Sequence, residues 1–338
     1  RFYSLISNEL LILMFMLSSL TMFMSGLVAN FEYDLKKIIA LSTLSQLGMM
    51  FSILALGDLM LSFFHLLMHA LFKALLFMCA GFMIHNLGDY QDIRFMGVIV
   101  NKMMLTSCFF NICNLSLCGL PFLAGFYSKD MILEVMASTG VNLYIYLIFY
   151  ISIGLTVSYT VRLLYFTMFN YNHYLNYDKT YEYGSFMVKG MFGLIFLVIF
   201  AGGFVSWFFF PTPYFLCLPL LMKLMVMVFI AIGVLIGLFF WKISLSDYSK
   251  LLSSGGVLFF MTSIFNLNYL SSMGVNYNFL NLGAVYYGSL DQGWSEYFGS
   301  HHLYNLYKNM SSLVMEFFLN NIKLFLVLLL LWLCMFIL

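Results

Sequence analysis

One long apolar stretch, Leu59 to Asn86, constrains the fold of this chain more than any other. Its residues are almost all apolar, and it is longer than the roughly 20 residues that a helix needs to cross the hydrocarbon layer of a bilayer. Three polar residues interrupt it at intervals of four: His65, His69 and Lys73. On a helix this spacing places them along one face. The stretch therefore predicts a membrane helix that carries a row of ionisable side chains.

This ionisable row has two interpretations. A lysine near the middle of a membrane helix costs roughly 2.5–3.5 kcal/mol to insert, so it should face protein or water rather than lipid. Imidazoles titrate near neutral pH, and two of them beside a lysine make a chain of proton sites. The alternative is a pair of structural histidines and a lysine that extends to the membrane surface. We favour the chain of proton sites, because Lys73 lies too deep in the stretch to reach either surface easily.

The composition indicates a polytopic membrane protein. Of the 338 residues, 63% are hydrophobic and only 9% are charged, and the mean hydropathy is +0.96. A soluble domain of this size cannot bury so much apolar surface. The net charge of +1 and the absence of any basic run in the sequence argue against nucleic acid as a partner.

The six cysteines show no pairing pattern in the sequence. They lie mostly inside apolar runs and form no pair at metal-binding spacing. We expect buried, unreactive thiols, and predict neither an iron–sulfur cluster nor a disulfide framework. The cysteines are Cys79, Cys108, Cys113, Cys118, Cys217 and Cys334.

Hydropathy predicts about eight transmembrane spans. They cover residues 9–29, 38–56, 59–86, 103–136, 143–169, 190–210, 218–241 and 322–338. Lysine and arginine concentrate in the loops that follow the odd-numbered spans, so those loops are predicted to face the cytoplasm or the mitochondrial matrix. These basic residues are Lys36, Lys37, Arg94, Lys102, Lys179, Lys189, Lys242 and Lys250.

The fourth span is too long for one straight crossing and is predicted to be broken. Gly119, Pro121 and Gly125 lie at its middle, where proline removes a backbone donor and clashes with the preceding turn. Lys129 and Asp130 follow directly. A broken helix with ionisable residues at mid-membrane depth is typical of ion sites in transporters. The alternative is a packing kink followed by an interfacial loop; we place Lys129 inside the membrane.

Other polar residues give weaker signals. Ser42, Thr43, Ser45 and Gln46 lie on the second span, where hydroxyl and amide groups most often make hydrogen bonds between helices. Arg162, in the fifth span, is either an interface anchor or a counter-charge, and its sequence context does not decide between them. A pairing of Glu134 with Lys129 would have to bridge more than one helical turn.

The C-terminal part differs in composition from the rest of the chain. Residues 246–321 mix Gly, Ser, Asn and Tyr with short apolar patches. From Tyr297 to Asn320, apolar residues recur at three- and four-residue spacing, which predicts an amphipathic helix rather than a span. We expect this helix to lie along the basic face of the membrane before the last span.

Three segments together resemble one known family. They are residues 31–50 (FEYDLKKIIALSTLSQLGMM), 65–97 (HLLMHALFKALLFMCAGFMIHNLGDYQDIRFMG) and 120–130 (LPFLAGFYSKD). They resemble the chain 5 family of mitochondrial NADH–ubiquinone oxidoreductase. Its members are the distal antiporter-like subunits of respiratory complex I, which are related to subunits of Mrp-type cation/proton antiporters. The resemblance is specific up to about Phe169 and looser from there to the end.

The resemblance implies a fold and a set of site residues. The fold would be an all-α polytopic membrane protein with about eight transmembrane helices, some of them broken, and a lateral amphipathic helix on the matrix face. His65, His69 and Lys73 match the family's central proton-transfer residues, on a helix broken near its middle. Lys129 matches the terminal lysine of the second broken helix, and Asp130 is its acidic neighbour.

The resemblance also implies a division of the chain. Residues 1–185 would form the second antiporter-like helix repeat, 186–245 additional spans, 246–321 the matrix-side segment with its lateral helix, and 322–338 a C-terminal anchor. The family's glutamate–lysine pair and a further histidine would lie upstream of Arg1, in a first repeat. We therefore expect this sequence to be the interior and end of a longer chain.

The function implied is proton translocation in the mitochondrial inner membrane, coupled to NADH:ubiquinone electron transfer. The chain would bind no cofactor itself, and NADH, FMN, iron–sulfur clusters and ubiquinone would bind to other subunits. Its partners would be other membrane-arm subunits, especially antiporter-like chains along the lateral helix, together with lipids. The alternatives are a subunit of an Mrp-type sodium/proton antiporter and a structural membrane scaffold. A scaffold gains nothing from the insertion cost of two lysines.

Overall fold

The computed structural model describes residues 3–140, 142–170, 182, 186–212, 215–245 and 255–337. Within these ranges the regular elements are helices, and the one extended pairing is an isolated β-bridge between Asp34 and Asp92. The chain divides into two compact units, Arg1–Phe265 and Asn266–Leu338. The all-α class predicted from the sequence is confirmed. Lys179 and Lys250, two of the basic residues used to orient the spans, lie outside the described residues.

The first unit is built from apolar helices. The described helices are α1 (Asn8–Ala29), α2 (Leu35–Leu56), α3 (Leu59–Asn86), α4 (Met104–Cys118), α5 (Ala124–Ser138), α6 (Leu143–Leu164), α7 (Phe186–Phe209), α8 (Leu220–Leu245) and α9 (Gly255–Thr262). A π-helical turn, Tyr165–Phe169, continues α6.

Six of the described helices are long and apolar enough to cross a membrane. They are α1, α2, α3, α6 with its π turn, α7, and the part of α8 from Leu220 to Phe239. They correspond to six of the eight predicted spans. The other two predicted spans are the α4–α5 pair and the helix Ile322–Ile337. The protein is a multi-pass membrane protein.

The break predicted in the fourth span lies between α4 and α5. Gly119 ends α4 in the left-handed conformation, with φ of 82°. The amides of Gly119 and Leu120 bond to the carbonyls of Ser116 and Leu115, the pattern of a Schellman motif. The chain then turns, and α5 begins at Ala124. This end of α4 requires a residue that tolerates positive φ, which explains the glycine.

The α3 helix is not broken. It runs without interruption from Leu59 to Asn86, over 28 residues. The expectation, implied by the family resemblance, that the helix carrying His65, His69 and Lys73 is broken near its middle is therefore wrong. The physical reason is that residues 59–80, which include the row, contain neither proline nor glycine, the residues at which membrane helices usually break. At 1.5 Å per residue α3 is about 42 Å long, which exceeds a hydrocarbon layer of about 30 Å.

The interior of the first unit is packed around α3 and α6. Phe64, Met68, Phe72 and Leu75 of α3 are almost completely buried, whereas the apolar side chains of α7 and α8 are largely exposed. Lipid tails are as apolar as leucine, so helices inside a membrane associate through close packing and hydrogen bonds rather than through the hydrophobic effect. The exposed apolar faces of α7 and α8 are those expected of lipid-facing helices.

The cysteines only partly match the expectation. All six are free; Cys79, Cys113 and Cys118 are buried, but Cys108, Cys217 and Cys334 are exposed. The expectation of buried thiols is wrong for these three. For Cys108 and Cys334 the reason is that hydropathy identifies a span but not which of its faces turns inward, whereas Cys217 lies between two spans.

The second unit consists of one long, irregular helical rod followed by a short helix. The rod runs from Leu267 to Leu319 with two π-helical stretches, and its last regular part is the helix Ser300–Asn320. A bend of 107° separates the rod from the helix Ile322–Ile337. The amphipathic helix predicted at Tyr297–Asn320 is confirmed as a helix within this rod.

Candidate functional site

His65 is held at both ring nitrogens by side chains from two other helices. Nδ1 lies 2.9 Å from Oγ of Ser128 on α5, and Nε2 lies 3.2 Å from Oε1 of Gln46 on α2. The ring is 1% exposed. A polar ring in such a place needs hydrogen-bond partners, and these two contacts provide them. His65 therefore connects α2, α3 and α5 through one ring.

His69 lies one turn further along α3 and is less well partnered. Its ring centroid is 6.4 Å from that of His65 and 5.4 Å from that of Phe72. Its Nε2 atom is buried and makes no hydrogen bond within the part of the chain that the structure describes. A buried nitrogen without a partner is costly, and such groups concentrate at functional sites.

Lys73 continues the row one turn beyond His69 and is 4% exposed. Its ammonium donates a hydrogen bond to Oγ of Ser42, which in turn donates to the carbonyl of Ile39 at 2.7 Å. The hydroxyl of Tyr159 faces Ser42 from α6 without a hydrogen bond of standard geometry. The thiol of Cys113 also lies close to the ammonium. The lysine is thus held by neutral groups.

Lys129 is held in the same way on α5. Its ammonium donates to Oγ1 of Thr156 at 3.0 Å and to the carbonyl of Leu117 at 3.3 Å. The hydroxyl of Thr156 in turn donates a hydrogen bond to the carbonyl of Ile153 at 2.8 Å. Lys129 is 3% exposed and therefore buried within the protein, while its depth inside the membrane stays a prediction. Since Ser128 precedes it and contacts His65, α5 extends the row that begins on α3.

A small cavity lies beside Lys129. Its volume is about 10 Å³, and it is bordered by Gly119, Asp130 and residues of α6 and α8. This is about the space that one water molecule needs. The lysine and the carboxylate next to it can therefore share a solvent molecule.

Asp130 is half-buried and forms no ion pair with Lys129. Its electrostatic neighbours are Glu134 on α5 and Lys223 on α8. Among the described residues the ion pairs are Lys37–Asp34, at 2.7 Å, and Arg94–Asp92, at 2.5 Å. Within that part of the chain, neither Lys73 nor Lys129 has a carboxylate partner.

Arg162, whose role the sequence left undecided, bonds to backbone carbonyls and forms no ion pair with a carboxylate among the described residues. Its guanidinium donates to the carbonyls of Asn30 and Glu32, which follow the end of α1, and lies over the Tyr33 ring at 4.7 Å. Ser158, one turn earlier on α6, donates to Asn30 at 2.7 Å. Glu32 itself is in the α1–α2 loop, where burial raises the pKa of its carboxyl group. These contacts fasten α6 to the α1–α2 loop.

The sequence identified the ionisable residues but not the groups that hold them. The hydroxyl and amide groups of α2 were expected to bond other helices, and Ser42 and Gln46 do so. Thr156 and Ser128 were not picked out as partners. Each is a small polar residue in an apolar helix, which is a weak signal, because most such hydroxyls bond only their own backbone. Among the described residues, no group of three or more His, Cys, Asp or Glu side chains is arranged to hold a metal ion.

The fold and this buried row define a class of protein, a polytopic membrane protein with ionisable side chains in its interior. Residues 1–156 match the family described as NADH:quinone oxidoreductase/Mrp antiporter, TM, and residues 159–338 match the family described as NADH dehydrogenase subunit 5 C-terminus. The chain belongs to the NADH dehydrogenase subunit 5 family.

Similar proteins come from several insects and carry the name NADH-ubiquinone oxidoreductase chain 5. The protein of Anopheles quadrimaculatus is 47% identical over 94% of this chain and 55% of its own length. That of Locusta migratoria is 47% identical over 93% and 55%, and that of Aedes aegypti is 46% identical over 98% and 57%. The chain thus spans little more than half the length of these relatives.

Two solved structures share the fold. One is the Mrp complex of a Dietzia species, with a TM-score of 0.55 and 19% identity over 82% of this chain and 34% of the other. The second is the membrane-bound sulfane sulfur reductase, an archaeal respiratory membrane complex, with a TM-score of 0.52 and 22% identity over 68% and 44%. At these identities the likeness concerns the fold alone.

Proposed function

We propose that the chain is a proton-translocating subunit of the membrane arm of respiratory complex I, in the mitochondrial inner membrane. There it would couple NADH:ubiquinone electron transfer to proton movement. The observation that carries this proposal is the row His65, His69, Lys73 and Lys129, whose described partners are neutral. The proposal is also supported by the relatives of this chain, which bear the name NADH-ubiquinone oxidoreductase chain 5. Asp130 completes the proposed set of site residues.

Neutral partners are the chemical basis of the proposed transfer. A carboxylate close to a lysine would stabilise its charged form and hold the proton. A hydroxyl accepts from the ammonium, as Ser42 and Thr156 do, yet it costs less to lose as a partner when the amine becomes neutral. Like charges in a low-dielectric interior also repel each other, so a proton that arrives at one member of the row favours release from the next.

The redox chemistry would take place in other subunits of the complex. NADH, FMN, iron–sulfur clusters and ubiquinone would bind there, and this chain would contribute proton transfer alone. Its proposed partners are the other membrane-arm subunits, with neighbouring antiporter-like chains lying along the lateral helix that contains Ser300–Asn320. The exposed apolar side chains of that helix, such as Leu303, Leu306 and Met310, suit a protein or lipid contact. Membrane lipids would cover the outer faces of α7 and α8.

A second candidate function is a subunit of an Mrp-type sodium/proton antiporter. The description of the family that matches residues 1–156 names both NADH:quinone oxidoreductases and Mrp antiporters, which supports this second candidate. The subunit 5 family match at residues 159–338 favours complex I.

The experiment is NADH-driven proton pumping by the assembled complex in sealed vesicles, with and without sodium. Lys73→Met and Lys129→Met should each abolish most of the pumping, whereas the exposed control Lys36→Met should not. General acid–base groups contribute about 10²–10⁴-fold, so losses of at least about 10²-fold are expected. Normal pumping in both lysine variants would contradict the proposal, and a strict sodium requirement would favour the antiporter.

A further inference from the structure

The contact between Gln46 and His65 is more specific than helix packing requires. Nε2 of His65 lies 3.2 Å from Oε1 of Gln46, and both side chains are about 1% exposed. The other half of the amide, Nε2 of Gln46, is buried and has no hydrogen-bond partner within the described residues. Because only the oxygen of this amide is hydrogen-bonded, the group can rotate by about 180° around its last side-chain bond and present either its oxygen or its NH₂ group to the ring.

The two ends of the amide suit different forms of the imidazole. Oε1 of Gln46 accepts from a ring nitrogen that carries a proton, whereas the amide NH₂ group donates to a ring nitrogen that carries none. Ser128 has the same ability on the other side of His65. Its hydroxyl lies 3.3 Å from the carbonyl of Gly125 and 2.9 Å from Nδ1, so it can accept from the ring while it donates to that carbonyl, or donate to the ring.

The charged ring and both neutral tautomers therefore each find a partner at both nitrogens. A structural histidine needs partners for one form only. The titratable groups that face His65 are His69 on its own helix and Lys129 on α5, while α2 contributes the uncharged amide of Gln46. The surroundings thus allow the ring to change its protonation state without losing a hydrogen bond.

We propose that Gln46 is a positioning residue for proton exchange at His65: it holds Nε2, turns Nδ1 towards Ser128 and adapts to each form of the ring. The proposal rests on the proposed function. When the imidazolium releases its Nδ1 proton, the N–H bond breaks and the electron pair stays on nitrogen. The proton bonds to the Ser128 oxygen, which gives its own hydroxyl proton to a water, so Ser128 is unchanged.

The test compares two substitutions of Gln46 in the assembled complex, by the pH dependence of NADH-driven pumping. Gln46→Met keeps the volume but removes the acceptor, so the charged ring is less stable. Pumping should fall about tenfold, as expected for the loss of a buried hydrogen bond to a charged group, and its alkaline limb should move about one unit to lower pH. Gln46→Glu supplies a charged acceptor and should move the same limb to higher pH.

The matched control is Ser52→Ala on the same helix. Ser52 is completely buried and donates only to the carbonyl of Met49 in its own helix, so this change should leave the pH profile in place. If Gln46 is only structural, both Gln46 variants should reduce the amount of assembled complex, and the alkaline limb should not move in opposite directions. That result would overturn the proposal. Gln46→Glu is nearly isosteric, so an unmoved limb in this variant alone overturns it as well.

A further variant separates this proposal from the proposed function. If His65→Gln abolishes pumping while both Gln46 variants keep the profile of the unmodified chain, His65 lies on the path and only the role of Gln46 is refuted. If His65→Gln pumps normally, His65 carries no protons and the role of Gln46 is refuted, while the proposed function still depends on the Lys73→Met and Lys129→Met variants.

Discussion

The ammonium of Lys129 donates a hydrogen bond to the carbonyl of Leu117, twelve residues earlier and 3.3 Å away. Leu117 lies in the last turn of α4, where carbonyls have no partner within the helix. The break between α4 and α5 therefore does more than redirect the chain. It exposes a backbone oxygen at the depth where the lysine needs an acceptor, which is the use that membrane proteins make of interrupted helices.

The first prediction concerns the type of residue at position 73. Lys73→Met and Lys73→Arg should both lower pumping by about 10²-fold or more, because methionine cannot carry a proton and arginine does not release one. Complex assembly should survive the methionine change, which keeps most of the volume of the side chain. The measurement is proton pumping together with coupled NADH–quinone activity. Near-normal pumping by Lys73→Arg would show that the lysine serves only as a fixed charge.

The second prediction concerns the hydroxyl partner of Lys129. Thr156→Val removes the acceptor and keeps the shape, so pumping should fall about tenfold, the value expected for a hydrogen bond to a charged group. Thr156→Ser keeps the acceptor and should pump nearly normally. The control is Thr167→Val, since this buried hydroxyl donates to the carbonyl of Leu163 in its own helix turn. Equal loss in the Thr156→Val and Thr167→Val variants would point to a packing effect.

The third prediction concerns close packing at the break. A Cβ atom at Gly125 would lie 1.8 Å from the carbonyl oxygen of Ser116, whereas one at Gly193 on α7 would meet nothing within 4 Å. Gly125→Ala should therefore destabilise the protein by about 1–3 kcal/mol or more, the cost of overpacking. Gly193→Ala should leave it unchanged. The measurement is the thermal unfolding midpoint of the assembled complex with each variant. Equal midpoints would show that the backbone segments at Gly125 and Ser116 can separate enough to admit a methyl group.

The fourth prediction concerns Arg162 as an anchor. Arg162→Gln should leave the carbonyls of Asn30 and Glu32 without their donor, at about 1–3 kcal/mol for each unsatisfied group. Stability should fall, while pumping by the complex that still assembles should stay normal. The comparison is Arg94→Gln: the Arg94 side chain is 57% exposed, and its ion pair with Asp92 should contribute less than about 1 kcal/mol. Loss of pumping in stable Arg162→Gln complex would instead assign it a role in transfer.

The fifth prediction concerns pH. Burial raises the pKa of the Glu32 carboxyl above its ordinary value of 4.5, so the folded state binds this proton more tightly than the unfolded state. The contribution of this group to stability is fully present below pH 4.5 and is lost as the pH rises through the raised pKa. Glu32→Gln imitates the protonated form and should flatten that part of the profile. Unfolding midpoints at several pH values measure this, and an unchanged slope would exclude Glu32 as its source.

Periodicity and composition predicted much of this fold. The apolar runs predicted about eight spans, six of which are single described helices long enough to cross a membrane, and Gly119 with Pro121 predicted the interruption between α4 and α5. The four-residue spacing of His65, His69 and Lys73 placed them on one face of α3. These features are local, because they depend on a single helix and its own residues.

The partners of the row could not be predicted, because they depend on which helices meet. Ser128 follows His65 by 63 positions, and Thr156 follows Lys129 by 27. A hydroxyl in an apolar helix gives the same signal whether it bonds its own backbone or a neighbouring helix. The surroundings of Asp130 likewise depend on the rotation of α5 about its axis, which is set by its packing against neighbouring helices such as α3, α4 and α7.

The bend before Ile322 has a geometric consequence for the C-terminal unit. The rod from Leu267 to Leu319 is on the order of 80 Å long at 1.5 Å per residue, far more than the thickness of a hydrocarbon layer of about 30 Å. It meets Ile322–Ile337 at 107°. If the short helix stands upright in the bilayer, the rod must run nearly parallel to the membrane surface. A helix of sixteen residues would then carry a segment that extends along the membrane surface over several helix diameters.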